Sequence, residues 1–382
     1  MKNLKILHLA SDEKFIDQAI KEFERVALGA NDLYVYGKKP LKLIRSPATV
    51  VSEAQALGGS LSKKFSSYDL VILHSLDIRW FRTIKKLPLG IPVVWLGWGY
   101  DYYDILYRSK KSMLLPLTKN TWLSTSQANS IAKTIKAGLK ALLVPSKESV
   151  IERIDFFSPV LTREYEIIKE ASRLCKFPRQ AIWNYGNLEE DLINGFENET
   201  VDGDSVLVGN SATFENNHLD TFSFLSKLGV NGRKIISPLS YGDPSYRELV
   251  LNSGTSHFGE NFMPLVEFMS ISEYVGVLKS CGFVVMDHLR QQAVGNIIIM
   301  LYLGAKVFLQ RDCPTFGFFK EHGAVIFSVQ ELQQSPEMLN TPLDQESISI
   351  NRGIVEANWS KNVSGVKTRN LLRLACDIKN EY

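Results

Sequence analysis

The sequence predicts an α/β protein made of two successive, doubly wound domains, and three observations carry that reading. Compact apolar runs of strand length alternate with helical stretches along almost the whole chain. Such continuous runs, separated by helices, are the mark of a parallel sheet covered on both faces. The chain has 382 residues, and at roughly 100–200 residues per domain two domains are expected. The acidic, Gly- and Asn-rich stretch GNLEEDLINGFENETVDGD interrupts the series near its middle. Hydrophobic residues make up 45% and charged residues 22%, which excludes a disordered chain or a coiled coil. The net charge of +3 argues against a general nucleic-acid binder, which carries a broad basic excess.

In order along the chain, Leu4–Ala10 reads as a buried strand and Phe15–Leu28 as a helix. The opening MKNLKILHLA runs into Ser11-Asp12-Glu13-Lys14 too soon to be a signal peptide. Strands follow at Leu33–Gly37, Leu70–His74 and Pro92–Gly97, then a helical section from about Asp104 to Phe177. Pro178–Asp204 suits a linker. The second series has strands at Ser205–Val208, Lys234–Ser237, Met263–Phe268, Phe283–Asp287, Lys306–Leu309 and Ala324–Phe327. Helices between them are expected at His218–Leu228, Ser245–Asn252, Ser270–Ser280, Asn296–Leu303 and Thr315–Glu321. The tail Ile354–Ile378 reads as one closing helix. The expected domains are therefore 1–190 and 191–350, with a C-terminal helix in 351–382. The most apolar run, Ile297–Ala305, is far shorter than the roughly 20 residues of a membrane-spanning helix. The four cysteines are scattered without a CxxC pair, so reduced thiols are expected rather than a zinc or disulfide framework.

Two Rossmann-like, doubly wound domains facing a cleft, with a closing C-terminal helix, describe the GT-B architecture used by glycosyltransferases. Ligands of open α/β sheets sit beyond the carboxyl ends of the strands. Four loops qualify. The first, Gly97-Trp98-Gly99-Tyr100-Asp101-Tyr102, combines flexible backbone, stacking aromatics and a carboxylate. It lacks the third glycine of a dinucleotide fingerprint. Trp98, Gly99 and Tyr102 are acceptor-binding candidates, and Asp101 is a catalytic candidate, as base or to orient the acceptor. The second, Gly209-Asn210-Ser211 leading to Asn217-His218 at a helix start, suits a diphosphate. Simple helix capping explains it as well. The third places Tyr241 after a strand, beside either a base or a plain turn. The fourth runs from Glu267, a second catalytic candidate, to Arg290-Gln291-Gln292, Gly295 and Asn296. There an arginine can pair with a diphosphate and the glutamines with sugar hydroxyls. Asp202-Gly203-Asp204 matches the metal motif of a different glycosyltransferase fold. It precedes a strand instead of following one, so it reads as a turn, and no essential metal or other cofactor is expected.

These motifs, in order, resemble the TDP-N-acetylfucosamine:lipid II N-acetylfucosaminyltransferases of enterobacterial common antigen assembly. The stretches that carry the resemblance are Trp98-Gly99 with Asp101, Val208–Ser211, Asn217-His218, Pro238, Tyr241, Tyr246, Glu267-Phe268, Arg290–Gln292 and Gly295. The likeness is strongest in the C-terminal half and weak between Asp104 and Asp204. The acid usual in the nucleotide-sugar clamp of common GT-B families is replaced here by Arg-Gln-Gln. The resemblance implies a TDP-sugar donor, a 4-acetamido-4,6-dideoxyhexose as the transferred group and a polyprenyl-diphosphate-linked saccharide as acceptor. It also implies work at the cytoplasmic face of the bacterial inner membrane, with no nucleic-acid partner. The other readings are a GT-B epimerase or phosphorylase, and a non-catalytic scaffold.

A lipid acceptor fits the charge distribution. Residues 105–147 hold Arg108, Lys110, Lys111, Lys119, Lys133, Lys136, Lys140 and Lys147 and no acidic residue. The same window carries Met113, Leu114, Leu115, Leu117 and Trp122. Lys133, Lys136 and Lys140 fall on one helical face, with Ile131, Ile135 and Leu139 on another. Such a basic amphipathic helix is expected to lie on an anionic membrane surface.

Overall fold

The computed structural model describes residues 4–107, 109–126, 144–230 and 232–379. The chain divides into two units. Unit 1 comprises residues up to 106, 129–187 and 361 onward, and unit 2 comprises 107–128 and 188–360.

Unit 1 is built on a seven-stranded parallel sheet of order β3-β2-β1-β4-β5-β6-β7. Its strands are β1 (Ile6–Ser11), β2 (Asn31–Tyr36), β3 (Thr49–Val51), β4 (Leu70–His74), β5 (Val93–Leu96), β6 (Phe156–Ser158) and β7 (Arg179–Gln180). The central strands are largely apolar, as burial on both faces requires, with His8 and His74 buried among them. Helix Ile16–Val26 lays Ile16, Ala19, Ile20 and Phe23 on the sheet. Its apolar residues recur at three- and four-residue steps, which puts them on one face.

Unit 2 repeats the plan with six parallel strands, β8 (Val206–Val208), β9 (Ile235–Pro238), β10 (Phe262–Leu265), β11 (Phe283–Met286), β12 (Lys306–Leu309) and β13 (Phe327–Ser328). Their order is β10-β9-β8-β11-β12-β13. In both sheets the first strand of the unit pairs with two neighbours from which the chain winds in opposite directions. β1 lies between β2 and β4, and β8 lies between β9 and β11. This reversal opens a crevice at the carboxyl ends of β1 and β4, and another at those of β8 and β11.

Three departures from expectation have physical causes. The section read as helical from Asp104 to Phe177 contains β6, and β7 follows it. These strands are three and two residues long, too short to show a period. Residues 107–128 leave the N-terminal domain for unit 2, because unit 2 side chains bind their backbone. Asn217 Oδ1 accepts Leu115 N at 2.8 Å, and the two oxygens of Asp220 accept Leu117 N and Thr118 N, each at 2.8 Å. The expected single closing helix is two, Gln345–Trp359 and Lys361–Lys379, interrupted at Ser360 in an extended conformation. Trp359 packs on Phe318 and Phe319 of unit 2. Leu371, Leu372 and Ala375 join the unit 1 core with Ile6, Phe23 and Trp183. Thr368 Oγ1 also accepts Trp183 Nε1 at 2.9 Å. The supposed linker is likewise committed, since Trp183, Leu188 and Ile193 are buried.

Candidate functional site

The crevice of unit 2 is floored by a polar network that begins where β8 ends. Gly209 has φ +69°, and a Cβ there would lie 2.4 Å from His218 Nε2 and 3.0 Å from Asn216 Oδ1. Glycine is therefore required twice, by backbone conformation and by space. Asn216 organises the loop. Its Oδ1 accepts Asn210 N at 2.8 Å and lies 2.9 Å from His288 Nε2. Its Nδ2 donates to Ser211 Oγ at 3.1 Å and Thr213 Oγ1 at 2.8 Å. Gln292 reaches the same loop from beyond β11, its Nε2 donating to Asn210 Oδ1 at 3.0 Å and Thr213 Oγ1 at 3.2 Å. Asn210 Nδ2 in turn donates to the hydroxyl of the half-exposed Tyr241 at 2.9 Å. Gly209, Asn210, Ser211, Gln292 and Tyr241 are thus gathered at one place by the fold. Gln292 Oε1 is buried there without a hydrogen bond to any described residue.

Helix Val294–Leu303 starts at the rim of this network. Its N-cap is Ala293 at φ +60°, and no side chain caps the first N–H groups. A Cβ on Gly295 would meet only Leu192 Cδ2 at 3.8 Å, so the space above that helix end is open. Uncapped amides at the positive end of a helix form an anion site. Arg290, half-buried beside it, donates from Nη1 to Gln291 O at 2.8 Å, while the Gln291 side chain is buried. Asn296 Nδ2 donates to Tyr274 OH at 2.8 Å, which commits its amide to the protein.

Several expected donor contacts are structural instead. Asn217 is fully buried, in the left-handed region at φ +55°, and donates to Asp287 O at 2.8 Å. His218 is fully buried against Phe222 and Tyr246. Burial pushes its imidazole down to about 3, so it is a neutral core residue. The helix start expected to take a diphosphate is covered by the segment that Asn217 and Asp220 hold. Glu267 is exposed two residues past β10, the edge strand, with β9 and β8 between it and β11. That position removes it from the crevice. Asp287 and His288, which the sequence reading passed over, are buried below the crevice. Asp287 accepts from Gln310 Nε2 and Thr221 Oγ1, and burial raises its carboxyl to about 6.

Asp202-Gly203-Asp204 lies at the amino ends of the unit 2 strands, in a turn closed by Ser205 N donating to Ser280 O. Asp202 pairs with Lys279 and Asp204 with Arg233. A depression of about 460 Å³ opens there, lined in part by Asp204, Arg233 and Met263. It lies at the wrong end of the sheet for the donor, since this fold places its chemistry at the carboxyl ends.

In unit 1 the loop after β5 is pinned by Asp101. The carboxylate is 5% exposed and accepts three N–H groups: Leu76 N at 2.8 Å, Trp95 Nε1 at 2.7 Å and Trp98 N at 2.8 Å. Burial nevertheless leaves its carboxyl above the usual range, against these bonds and the charge of Lys147. A group so enclosed positions the loop, with three of its roughly four acceptor sites taken by N–H groups. Tyr102 is also buried, donating to Glu164 at 3.0 Å, so it does not form an acceptor surface. Gly97 leaves room for its ring, since a Cβ there would lie 2.6 Å from Tyr102 Cε1. Gly99 turns the loop at φ +88°.

Trp98 is the accessible member of the expected acceptor group. It meets Phe15, Tyr100 and Tyr185 with ring centroids 5.0–6.4 Å apart. Tyr185 is tethered below by a chain of side chains across the β1–β4 switch. His74 Nδ1 lies 2.9 Å from Tyr185 OH, His8 Nδ1 lies 3.0 Å from His74 Nε2, and His8 Nε2 lies 3.1 Å from Asn31 Oδ1. The Asn31 amide nitrogen donates to Glu24 and Ala27, which makes its oxygen the acceptor. That assigns the tautomers. Each imidazole is neutral and donates toward Asn31, and Tyr185 donates to His74. Desolvation lowers both histidines, His8 to about 4.

Glu13, on the loop after β1, was also missed. It is half-buried, and burial first, with Asp12 and Asp77 adding, lifts its carboxyl above the usual range against Lys14 and Arg79. Position after a central strand was the available signal, but that loop offered no motif.

The basic window is divided by the structure. Met113 and Leu114 are buried in unit 2, and Lys147 is tied in unit 1 to Asp104 and to the carbonyl of Asp101. Lys110, Lys111 and Leu117 are exposed. The amphipathic face with Lys133, Lys136 and Lys140 lies outside the described residues, as does Arg108. No helix among the described residues is long and apolar enough to cross a membrane.

Solved structures share this fold over nearly the full chain. A glycosyltransferase from Rickettsia africae ESF-5 superposes with a TM-score of 0.60 at 13% identity, covering 99% of both chains. Sucrose-phosphate synthase from Thermosynechococcus elongatus gives 0.62 at 10% identity, covering 97% of this chain and 98% of that one. Anabaena Alr3699/HepE, solved with UDP and glucose, gives 0.61 at 13% identity, covering 97% and 100%. At such identities the likeness establishes the fold, which is GT-B. The profile of one family matches residues 170–364, just over half of the chain, spanning the network of Gly209, Asn216 and Gln292 and the helix start at Gly295. By that match the chain belongs to glycosyl transferase group 56, the family described as 4-alpha-L-fucosyltransferase, and is a glycosyltransferase with a nucleotide-sugar donor and a glycan acceptor.

Proposed function

We propose that this enzyme transfers a 4-acetamido-4,6-dideoxyhexose from a TDP-sugar to a polyprenyl-diphosphate-linked saccharide in cell-surface polysaccharide synthesis, at the cytoplasmic face of the inner membrane. The supporting observation is the unit 2 crevice. An uncapped helix start, Arg290 and the buried, unpartnered Gln292 Oε1 meet at its rim. The helix amides and Arg290 would take the diphosphate, and Gln292 would offer a fixed polar contact to the sugar. The donor identity rests on the resemblance of Val208–Ser211, Tyr241 and Arg290–Gln292 to the TDP-N-acetylfucosamine enzymes.

The chemistry needs a base and a stabilised leaving group. The acceptor hydroxyl gives its proton to a general base while its oxygen bonds to the anomeric carbon. The bond from that carbon to the diphosphate breaks, and the nucleoside diphosphate departs with the electron pair. Glu13, half-buried on the loop at the carboxyl end of β1, is the carboxylate of unit 1 assigned as that base. Arg290 and the helix amides stabilise the charge that develops on the leaving diphosphate. The sugar therefore changes anomeric configuration.

Thermal-shift titration with TDP, UDP and GDP, followed by transfer from the matching nucleotide sugar to a lipid-linked acceptor, tests this reading. Selective stabilisation by TDP is expected. Selective stabilisation by GDP overturns the donor assignment, and no response to any nucleotide overturns the catalytic reading.

A further inference from the structure

The loop that leaves the carboxyl end of β2 reads Lys38-Lys39-Pro40-Leu41-Lys42-Leu43-Ile44-Arg45. Its four cations, Lys38, Lys39, Lys42 and Arg45, are all exposed, and none makes an ion pair with a described residue. Leu43 is 42% exposed among them. Beside them Pro40, Leu41, Ile44, Ala48 and Val50 line an open depression of about 430 Å³.

This loop is held by its backbone. Asp12, just past β1, accepts Lys42 N, Leu43 N and Ile44 N at 2.6, 3.0 and 3.1 Å. Asp17, in the first turn of the next helix, accepts Arg45 N and Ser46 N, each at 2.8 Å. Desolvation raises the Asp12 carboxyl, but the three N–H groups and the charge of Arg45 outweigh it and hold the group below its usual value. Two carboxylates thus fix five successive amides, and the ordering entropy of the loop is already spent before any partner arrives. Both acids engage main-chain groups, and the four basic side chains stay exposed, with Arg45 alone acting on Asp12 through its charge. Counting both acids, the loop and its clamp still carry an excess of two positive charges.

We propose that this loop is the surface by which unit 1 docks on an anionic phospholipid bilayer, with the four cations over the headgroups and Leu43 at the acyl boundary. Several observations favour a membrane over a discrete ligand. The cations are spread along an exposed loop instead of converging, the apolar depression is shallow and open, and an exposed leucine sits at the centre of the charge. Cations near an anionic leaflet add attraction singly, and one apolar side chain adds a part that salt does not screen. The proposal rests on the reading that the acceptor is lipid-linked, because a membrane-bound acceptor is what makes docking useful. It adds a membrane-facing element to the window 105–147, whose amphipathic face lies outside the described residues.

Co-sedimentation of the full-length protein with mixed phosphatidylglycerol–phosphatidylcholine vesicles, against phosphatidylcholine alone, tests it. The wild type is expected to bind only the anionic vesicles and to release progressively as salt rises. The combined variant K38A/K39A/K42A/R45A is expected to bind at least about tenfold more weakly, since each cation near the surface adds to the attraction. L43S is expected to lose the salt-resistant fraction. K63A/K227A, which removes two exposed lysines elsewhere, is expected to bind as the wild type does. The fold survives the loop variants because the clamp uses backbone N–H groups, and an unchanged melting temperature verifies that. Wild-type binding by the quadruple variant overturns the proposal, as does failure of the wild type to bind anionic vesicles. Release by soluble diphosphate at constant ionic strength also overturns it, in favour of a phosphate pocket. Vesicle binding by a protein that transfers no sugar would sink the proposed function and leave the docking surface standing.

Discussion

Replacing Asp101 with asparagine separates a structural carboxylate from a catalytic one. Oδ2 accepts Leu76 N and Trp95 Nε1, and Oδ1 accepts Trp98 N. Asparagine has one oxygen, so at best it keeps the first two bonds and turns its NH₂ toward the N–H of Trp98. One charge-assisted bond is lost, and two donors face each other in a buried site. Relief from burying a charge offsets part of this, because desolvation leaves the Asp101 carboxyl raised. A lost bond to a charged group costs about 1.5–3 kcal/mol, and a stranded buried donor costs a similar amount. After the offset, a net loss of about 2–3 kcal/mol is expected. For a unit of this size that lowers the melting temperature by roughly 5–10 °C. The assay is a thermal melt of Asp101→Asn beside turnover per folded molecule, measured well below the new transition. The expected result is a clear fall in stability with turnover reduced through loss of loop order, most of it in acceptor KM. An Asn variant that melts with the parent and has lost turnover at saturating acceptor would refute this reasoning and return Asp101 to the role of base.

Other perturbations report on other parts of the molecule. Gly209→Ala forces a Cβ to within 2.4 Å of His218 Nε2 at φ +69°, and about 2–4 kcal/mol of lost stability together with weaker donor binding is expected, read by melting and nucleotide titration. Arg290→Ala is expected to weaken donor affinity and slow transfer, and unchanged values of both would remove it from the clamp. Glu13→Gln is expected to abolish transfer while leaving donor binding intact, with Glu13→Asp recovering part of it and wild-type product showing inverted anomeric configuration. The buried histidines make unit 1 acid-sensitive. His8 has a folded-state value of about 4 against an unfolded 6.5, so between these limits the unfolded chain binds the extra proton. Stability is full above pH 6.5 and is lost as pH falls toward 4, by roughly 3 kcal/mol at about 1.4 kcal/mol per unit, with His74 acting in the same direction. A unit 1 transition that does not move between pH 7 and 4.5 would contradict the assigned neutral pair.

The alternation of apolar runs with helices made the fold class legible, because strands buried on both faces must be continuously apolar whatever their neighbours. It also placed β12 at Lys306–Leu309 and put Gly209, Asn210, Ser211, Gln292 and Gly295 in loops after strands, where the switch point later gathered them. Local sequence could not supply partners. Asp101 and Tyr102 looked like site residues because a carboxylate and an aromatic after a strand have the same composition whether they face solvent or the core. Only the packed structure turns Asp101 toward three N–H donors and Tyr102 toward Glu164. Asn217 read as a ligand for the same reason, and its actual task is to bind the backbone of residues more than a hundred positions earlier. Nothing in the local sequence marks Asp12 or Asp17, and only the fold brings five amides from residues about thirty positions later onto them. Periodicity along the chain determined which elements form. Hydrogen bonds between residues distant in sequence decided which polar groups were consumed by the fold and which were left for a ligand, because a buried polar group takes whatever partner the tertiary structure brings within reach.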